Sequence, residues 1–453
     1  MPAEVLTRSQ VVRRAFPLVF ANAATPLAGA ADTFVLGLSG NVTDLGGVAL
    51  GNAIISIFLW SFYFLRMGTT GLVSQAAGAG DAAEAQRVVL RALAIALVLG
   101  LLVALLRDLI AAGGLAVMQG EPEVNDKGAA YLTARALGAP AGLAVFALTG
   151  WMIGTGRSGA TLAVTAIFSG TNILLDLWFV LGLGAGPAGV GYATAIGDWV
   201  AFAVGVVIAL RAVRSDGDWR DGVWSTAALF DVPALRRLFD VNVNLMIRTW
   251  MMIFGFTWFV NAGARQGAGP LAGNHILMQI IAIWAFVLDA FAFVAEAEAG
   301  RAFGRKSLAD FRRASWLTAE LGLVCGASFA VLTFFFGPAV LTALIADETA
   351  RDAAIAFLPY CALAPLIGVP AWILDGIFIG ATRGAMLRNA AIGAVLVYLA
   401  ADFVLAPRLG NNGVWLAFMV FYVARAVALG LYLPKLEARI AQPEPSSAGG
   451  SQR

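Results

Sequence analysis

The sequence predicts an all-α integral membrane protein: twelve transmembrane helices in two six-helix lobes, related by a pseudo-twofold along the membrane normal. Three observations carry that expectation. The 453 residues are 60% hydrophobic and 13% charged, with a mean hydropathy of +0.82, whereas a soluble domain carries about 25% charged residues. Apolar segments of about 20 residues, each able to cross ~30 Å of hydrocarbon as a helix, recur along the whole chain. The chain also repeats itself. Ile153-Gly154-Thr155-Gly156-Arg157 returns as Ile379-Gly380-Ala381-Thr382-Arg383, and Asp176 lands on Asp402 at the same offset.

The spans fall near 12–38, 45–65, 86–106, 128–154, 159–184, 188–212, 238–264, 271–300, 314–336, 355–381, 385–404 and 413–434. Turn-rich stretches separate them, among them Ser39-Gly40-Asn41, Gly184-Ala185-Gly186-Pro187 and Gly410-Asn411-Asn412-Gly413. Further repeat matches pair Ala188-Gly189-Val190 with Asn412-Gly413-Val414, Gly51-Asn52 with Gly273-Asn274, and Trp60 with Trp284. The period is far longer than that of a solenoid. The expected layout is an N-terminal lobe at 1–212, a polar linker at 213–237, a C-terminal lobe at 238–437 and a disordered tail at 438–453. Two homologous membrane halves with buried acids are the build of a secondary transporter.

Positive residues set the expected orientation. With the N-terminus inside, the cytoplasmic set contains Arg8, Arg13, Arg14, Arg66, Arg87, Arg91 and Arg157, and then Arg211, Arg214, Arg220, Arg236 and Arg237 between the halves. It continues through Arg301, Arg305, Lys306, Arg312, Arg313, Arg383, Arg388, Lys435, Arg439 and Arg453. Outside lie only Arg107, Lys127, Arg265, Arg351 and Arg408, with Arg135, Arg248 and Arg425 inside spans. The expectation is a multi-pass protein of the cytoplasmic membrane, both termini cytoplasmic. Arg13-Arg14-Ala15-Phe16 imitates a twin-arginine signal, but Pro17 and Pro26 interrupt the apolar stretch that follows, so this segment reads as a retained first helix.

Several function classes are excluded. A net charge of +2 gives no basis for a nucleic-acid partner. One histidine, His275, and two distant cysteines, Cys325 and Cys361, leave little for metal or thiol chemistry; both cysteines read as small buried hydrophobes, and no cofactor is expected. No Walker-type Gly-Lys-Ser/Thr run exists, so ATP is not the energy source. Gly78-Ala79-Gly80-Asp81 matches an intramembrane aspartyl protease signature, yet a polar Ala-Ala-Glu-Ala-Gln-Arg loop follows and the paired tyrosine-aspartate motif is absent. The chain does not read as an enzyme.

Ionisable groups inside spans are costly and point to function. At 1.5 Å per residue, Asp32 lies ~9 Å, Asp176 ~12 Å and Thr194 ~9 Å below the outer ends of their helices, so three spans bring oxygens to one level. Asn172 precedes Asp176 by one turn on the same face, as Thr194 precedes Asp198. Two carboxylates in a dry pocket do not both stay ionised: one holds a proton, or a cation such as Na⁺ sits between them. Structural hydrogen bonding is the bland alternative, and shared depth across three helices favours cation coupling. Pro26, six residues before Asp32, is a candidate kink beside the site, and Pro26 and Asp198 are candidates for coupling or gating. Arg248, Asp289 and Asp375 are candidates for a substrate cavity, although Asp289 and Asp375 lie near cytoplasmic arginines and are as well explained by ion pairing. Glu296 and Glu298 are expected to pair locally with Arg301 and Arg305.

These residues resemble a known family. Ala31-Asp32-Thr33, the run Phe64-Leu65-Arg66-Met67-Gly68-Thr69-Thr70-Gly71-Leu72-Val73-Ser74-Gln75-Ala76 and Asn172-Ile173-Leu174-Leu175-Asp176 are similar to the MATE multidrug and toxic compound extrusion family, DinF-type branch. Leu374-Asp375-Gly376-Ile377-Phe378-Ile379-Gly380 and Arg388-Asn389 extend the likeness over nearly the whole chain. The resemblance implies a V of two lobes, alternating access, and efflux of small organic compounds against H⁺ or Na⁺. It also implies a cation site on Asp32, Asn172, Asp176 and Thr194. Asp198 departs from the glutamate expected there, and Ala290 from a glycine. The alternative within the same superfamily is a flippase for lipid-linked or modified lipids, favoured by a strongly cationic cavity. A monomer in the bilayer is expected. Following the repeat onward, Asn172 meets Tyr398, Thr194 meets Phe418, and Asp32 falls near Phe254 and Phe256. Asp402 loses its oxygen partners and reads as structural.

Overall fold

A computed structural model describes residues 5–38, 40–215 and 231–441, and among them only helices occur. In chain order these are α1 (Arg8–Leu38), α2 (Val42–Ser61), α3 (Phe64–Gly78), α4 (Ala82–Leu105), α5 (Arg107–Met118), α6 (Pro122–Ala136), α7 (Ala139–Gly154) and α8 (Ser158–Asp176). They continue as α9 (Gly186–Ser215), α10 (Val232–Ala264), α11 (Ala268–Gly304), α12 (Leu308–Leu344), α13 (Glu348–Gly380), α14 (Gly384–Leu409) and α15 (Asn411–Ala441). Eleven continuous helices are long and apolar enough to cross a membrane, and the bent pair α6–α7 makes twelve. α11 and α12, with 37 residues each, are ~55 Å long and outreach the ~30 Å hydrocarbon core.

Two spans differ from the sequence expectation. The second runs on from α2 through α3 to Gly78, with a hitch at Phe62 and Tyr63 where amides bond three residues back, to Leu59 and Trp60. The fourth is bent by 52° between α6 and α7. Pro140 has no N–H for the carbonyl of Ala136, and Leu137 and Gly138 also close with three-residue bonds. Trp199 Nε1 donates to the exposed Leu137 carbonyl at 3.2 Å. The short helix α5 was not anticipated. Residues 216–230 of the expected linker and 442–453 of the expected tail lie outside the described residues. What is described at their edges is helical: 213–215 in α9, 232–237 in α10 and 438–441 in α15.

The repeat is visible as geometry. α3, α7, α11 and α13 each end in the same turn, closed by one bond spanning five residues and one spanning three, the pattern of a Schellman cap. Its left-handed residue is Gly80 (φ 76°), Gly156 (φ 79°), Lys306 (φ 56°) and Thr382 (φ 54°), at one fixed offset between halves. Asp81 and Ser307 then cap α4 and α12, accepting from the amides of Glu84 and Asp310. Gly78-Ala79-Gly80-Asp81 is therefore helix punctuation, with Asp81 bonded to backbone rather than paired with a second aspartate.

Helices α1–α9 pack among themselves, as do α10–α15, and the groups meet through α1, α3 and α7 against α10, α11 and α13. The two ends of the described residues share one face, the terminal face: Arg313 donates to the Leu6 carbonyl at 2.6 Å, and Arg312 to Glu437 at 2.6 Å. The cross-group contacts lie in the half nearest that terminal face. A core of Phe64, Leu65 and Met67 packs on Leu288, Ala292 and Ile379, and a Cβ on Gly300 would collide with Ser74. Gln75 Nε2 donates to the Gly380 carbonyl (2.9 Å) and Thr382 Oγ1 (3.0 Å). Arg301 donates to the Gly154 carbonyl at 3.1 Å, and Glu298 pairs with both Arg14 and Arg301.

The deepest of these contacts corrects the sequence reading twice. Arg66, assigned to the cytoplasmic loops, is 1% exposed within α3. Its guanidinium pairs with Glu296 of α11 at 3.2 Å and stacks over Phe293, centroid distance 4.2 Å. Glu296 thus finds its partner in the other half of the chain rather than in a local arginine. Breaking a buried pair strands the remaining charge, at a cost of about 3–5 kcal/mol. Glu296→Gln should lower the thermal unfolding midpoint of the detergent-solubilised protein by several degrees. An unchanged midpoint would show that this pair does not hold the halves together.

Candidate functional site

Asp32, Asn172, Asp176 and Thr194 come together in the half of the molecule remote from the terminal face. Asp176 ends α8, where the chain passes into a π-helical stretch, Leu177–Gly182; such stretches recur at functional sites. Asn172 and Asp176 are fully buried, and Thr194 is 7% exposed. Thr194 Oγ1 donates to the Val190 carbonyl (2.9 Å) and accepts from Asn172 Nδ2 (3.1 Å). That bond fixes the amide, leaving Asn172 Oδ1 as an acceptor without a donor. The Asp32 carboxyl, half-buried on α1, faces both Asp176 and Asn172.

The hydrogen-bond pattern of this cluster is incomplete. Asp32 Oδ1, Asn172 Oδ1 and both carboxyl oxygens of Asp176 are buried without a donor among the described residues. Buried polar atoms are nearly always bonded, and each exception requires an explanation. Here every unpaired atom is an oxygen. Such a set accepts a proton shared between the carboxyls, or a small hard cation that takes oxygen ligands.

The surrounding residues are, by contrast, satisfied. Asp198, one turn from Thr194 on α9, pairs with Arg135 of α6 at 2.6 Å, both buried. The sequence left both without partners and made Asp198 a gating candidate; the structure gives it a fixed counter-charge. Tyr131, which nothing in the sequence singled out, lies among Asp32, Asp176, Asp198 and Arg135. Its hydroxyl donates to Asn52 Oδ1 at 3.4 Å. Its signal was its place one helical turn before Arg135. Pro26 is exposed, and α1 runs through it unbroken. Ser169 of α8 donates to the Ala24 carbonyl at 3.0 Å, tying the two acid-bearing helices together near that proline.

The other candidates form a second, charge-balanced group. Asp375 of α13 is held by Arg248 of α10 and Arg425 of α15. Arg248 is therefore spent on a largely buried ion pair, and Asp375 pairs with interior arginines rather than cytoplasmic ones. Asp289 of α11 makes no ion pair or hydrogen bond among the described residues; its charged neighbours are Arg66, Arg248, Asp375 and Arg425. In the second half, Asp402 is fully buried, accepting from Arg265 at 2.7 Å and Trp258 Nε1 at 3.0 Å. The repeat mates Asp176 and Asp402 thus differ in one essential respect: Asp402 has an arginine bonded to it.

The MatE family model matches residues 17–178. The DNA damage-inducible protein F of Escherichia coli (strain K12) is 32% identical over 425 residues, covering 92% of this chain and 89% of that protein. A probable multidrug resistance protein NorM of Acinetobacter baylyi (strain ATCC 33305 / BD413 / ADP1) is 23% identical, covering 96% of this chain and 97% of that one. A crystal structure of a MATE protein in its bent conformation shares the fold, with a TM-score of 0.85 at 18% identity over 96% of this chain and 97% of that one.

The Arg135–Asp198 pair allows a test of the framework around the four oxygens. Asp198→Asn strands a buried guanidinium and should cost about 3–5 kcal/mol, whereas replacing both partners with methionine should recover most of the loss. Thermal unfolding of the purified variants compares them. A double variant as unstable as the single one would show that the pair is not what the site rests on.

Proposed function

This chain belongs to the MATE family of multidrug and toxic compound extrusion transporters, in its DinF-type branch, and from that premise we propose a cation-coupled antiport mechanism. It expels small organic compounds, cationic or amphipathic, across the cytoplasmic membrane in exchange for H⁺ or Na⁺. The observation that carries this reading is the set of donorless oxygens on Asp32, Asn172 and Asp176, in a chain whose other interior acids are mostly paired with arginine. Asp32 and Asp176 put two carboxyls together in a low dielectric, where both do not stay ionised, so the site takes up a proton or a cation between α1 and α8.

Alternating access supplies the rest of the mechanism. Positive residues put the terminal face in the cytoplasm, so the seam of Arg66, Glu296 and Gln75 closes the cytoplasmic side. The acid cluster then takes up its cation from the opposite side. Neutralising Asp32 frees α1 to pack more closely on α8, with Pro26 as a point where the helix lacks a backbone bond. A positively charged compound and the coupling cation compete for the same negative field, so loading one favours release of the other. Asp289, without a bonded partner, is a second carboxylate available to an organic cation. Arg248 and Arg425 are both paired with Asp375, and the three serve as framework. Lipid-substrate flipping would need a cationic cavity, and here Arg66, Arg248 and Arg425 are offset by Glu296, Asp375 and Asp289.

Proteoliposomes with H⁺ and Na⁺ gradients imposed separately test the assignment. Asp32→Asn and Asp176→Asn should each abolish gradient-driven efflux of a fluorescent organic cation while the protein still reaches the membrane. Efflux undiminished in either variant would remove that residue from the coupling site. Asp402→Asn should leave efflux close to wild type, because Asp402 already has its counter-charge.

A further inference from the structure

A cavity of about 630 Å³ opens at the terminal face, where the two helix groups meet. Arg236 and Arg237 of α10, Arg383 of the α13–α14 turn, Gln75 of α3 and Thr382 line it, with Asp240 as its one carboxylate. The charges are unequal, and they are not spent on ion pairs. Among the described residues, none of Arg236, Arg237, Arg383, Arg439 and Asp240 forms a salt bridge. Arg237 donates only to Gln75 Oε1, at 3.2 Å. Arg383 is half-buried, its Nε has no hydrogen-bond partner, and its guanidinium lies over the Phe303 ring, 5.4 Å from the centroid. Its charged neighbours are Arg237 and Arg439, both like-signed. Arg237 of α10 and Arg383 of the α13–α14 turn thus line the cavity with a buried N–H unsatisfied, and the exposed Arg439 of α15 adds a like charge beside Arg383.

An arginine cluster with donors to spare is matched by a phosphate group, which offers acceptor oxygens in the fork geometry of the guanidinium. Basic pockets between transmembrane helices also suit anionic lipid head groups. We propose that this seam cavity binds a phosphate-bearing anion held by Arg237 and Arg383 with help from Arg439. The site is separate from the cation cluster and does not rest on the antiport reading. Bound there, the anion offsets the mutual repulsion of three helix ends and braces the joint that Gln75 makes with Gly380 and Thr382. It stabilises the arrangement closed at the terminal face.

The test compares wild type with Arg237→Gln/Arg383→Gln, using Lys435→Gln as a control at the same face outside the cavity. Native mass spectrometry counts lipid retained after extraction from vesicles of phosphatidylcholine doped with phosphatidylglycerol. A parallel arm titrates inorganic phosphate and follows thermal unfolding. Each arginine near a lipid surface contributes roughly fivefold in binding, so the double variant should retain on the order of tenfold less phosphatidylglycerol or lose the phosphate-induced stabilisation. Loss in the lipid arm alone identifies a head group; loss in the phosphate arm alone identifies a soluble anion. Equal retention and equal stabilisation in wild type and the double variant would overturn the site. So would an equal loss in Lys435→Gln, which would reduce the effect to general surface charge. Matching gel-filtration profiles and unfolding midpoints without anion establish that the variants fold.

Discussion

A charge inside a hydrocarbon-embedded bundle must be neutralised, and this molecule is organised by what supplies the neutralisation. Arg66 is answered by Glu296, which joins one half of the chain to the other. Arg135 is answered by Asp198, which joins two helices of the first half. Asp375 draws Arg248 and Arg425 onto itself from two helices of the second half. Each pair is costly to desolvate and costlier to break, so each fixes relative helix position more firmly than apolar contacts in lipid, where packing alone has little preference for one rotation of a helix over another. Among the described residues Asp32, Asp176 and Asp289 have no arginine bonded to them, and the first two are the pair on which the proposed coupling rests.

How much of this is legible in the sequence depends on whether a property is local. Span length is local, and all twelve spans are readable from hydropathy. The bend at Leu137–Gly138 was not, because Ala, Leu and Gly there continue an apolar run and only Pro140 marks the missing bond. Height along a helix follows from residue number, which is why the sequence puts Asp32, Asp176 and Thr194 at one level, with Asn172 one turn deeper. Rotation about the helix axis and the reach of a long side chain do not follow in the same way. Arg66 therefore looked like a loop residue, Glu296 was assigned to a neighbour on its own helix, and Tyr131 went unnoticed. The register between halves matched Asp176 with Asp402 correctly. It had no means of showing that Arg265, on a different helix, reaches one of them and that no arginine bonds the other.

The joint between the helix groups is built for close approach. Gly71, Gly78, Gly300 and Gly304 of α3 and α11 leave no room for a side chain against the backbone or side chains opposite, so the helices touch nearly along their backbones. Close packing of this kind has few intermediate positions: a small rotation produces collisions, and a large one separates the surfaces. Such a joint is either made or broken. Polar contacts at Arg66, Gln75 and Arg301 then add discrete bonds that are lost together. In the antiport mechanism we propose, a cation at the remote acid cluster needs only to tilt the balance between two packed arrangements rather than to drive a continuous deformation.

The four helix-ending turns offer a record of how the two halves diverged. Gly80 and Gly156 adopt the left-handed conformation without a Cβ, while Lys306 and Thr382 adopt it with one, at a cost on the order of 1 kcal/mol each. At Thr382 the side chain that brings the strain also brings the hydroxyl that receives Gln75 from the other half. A glycine there would relax the backbone and remove a stitch between the halves. Of the two matched turns at Gly156 and Thr382, one carries the unstrained residue, and the other carries strain together with a bond across the halves. Divergence here is legible as an asymmetry of strain at the joint between the halves, beside the asymmetry of partners that separates Asp176 from Asp402.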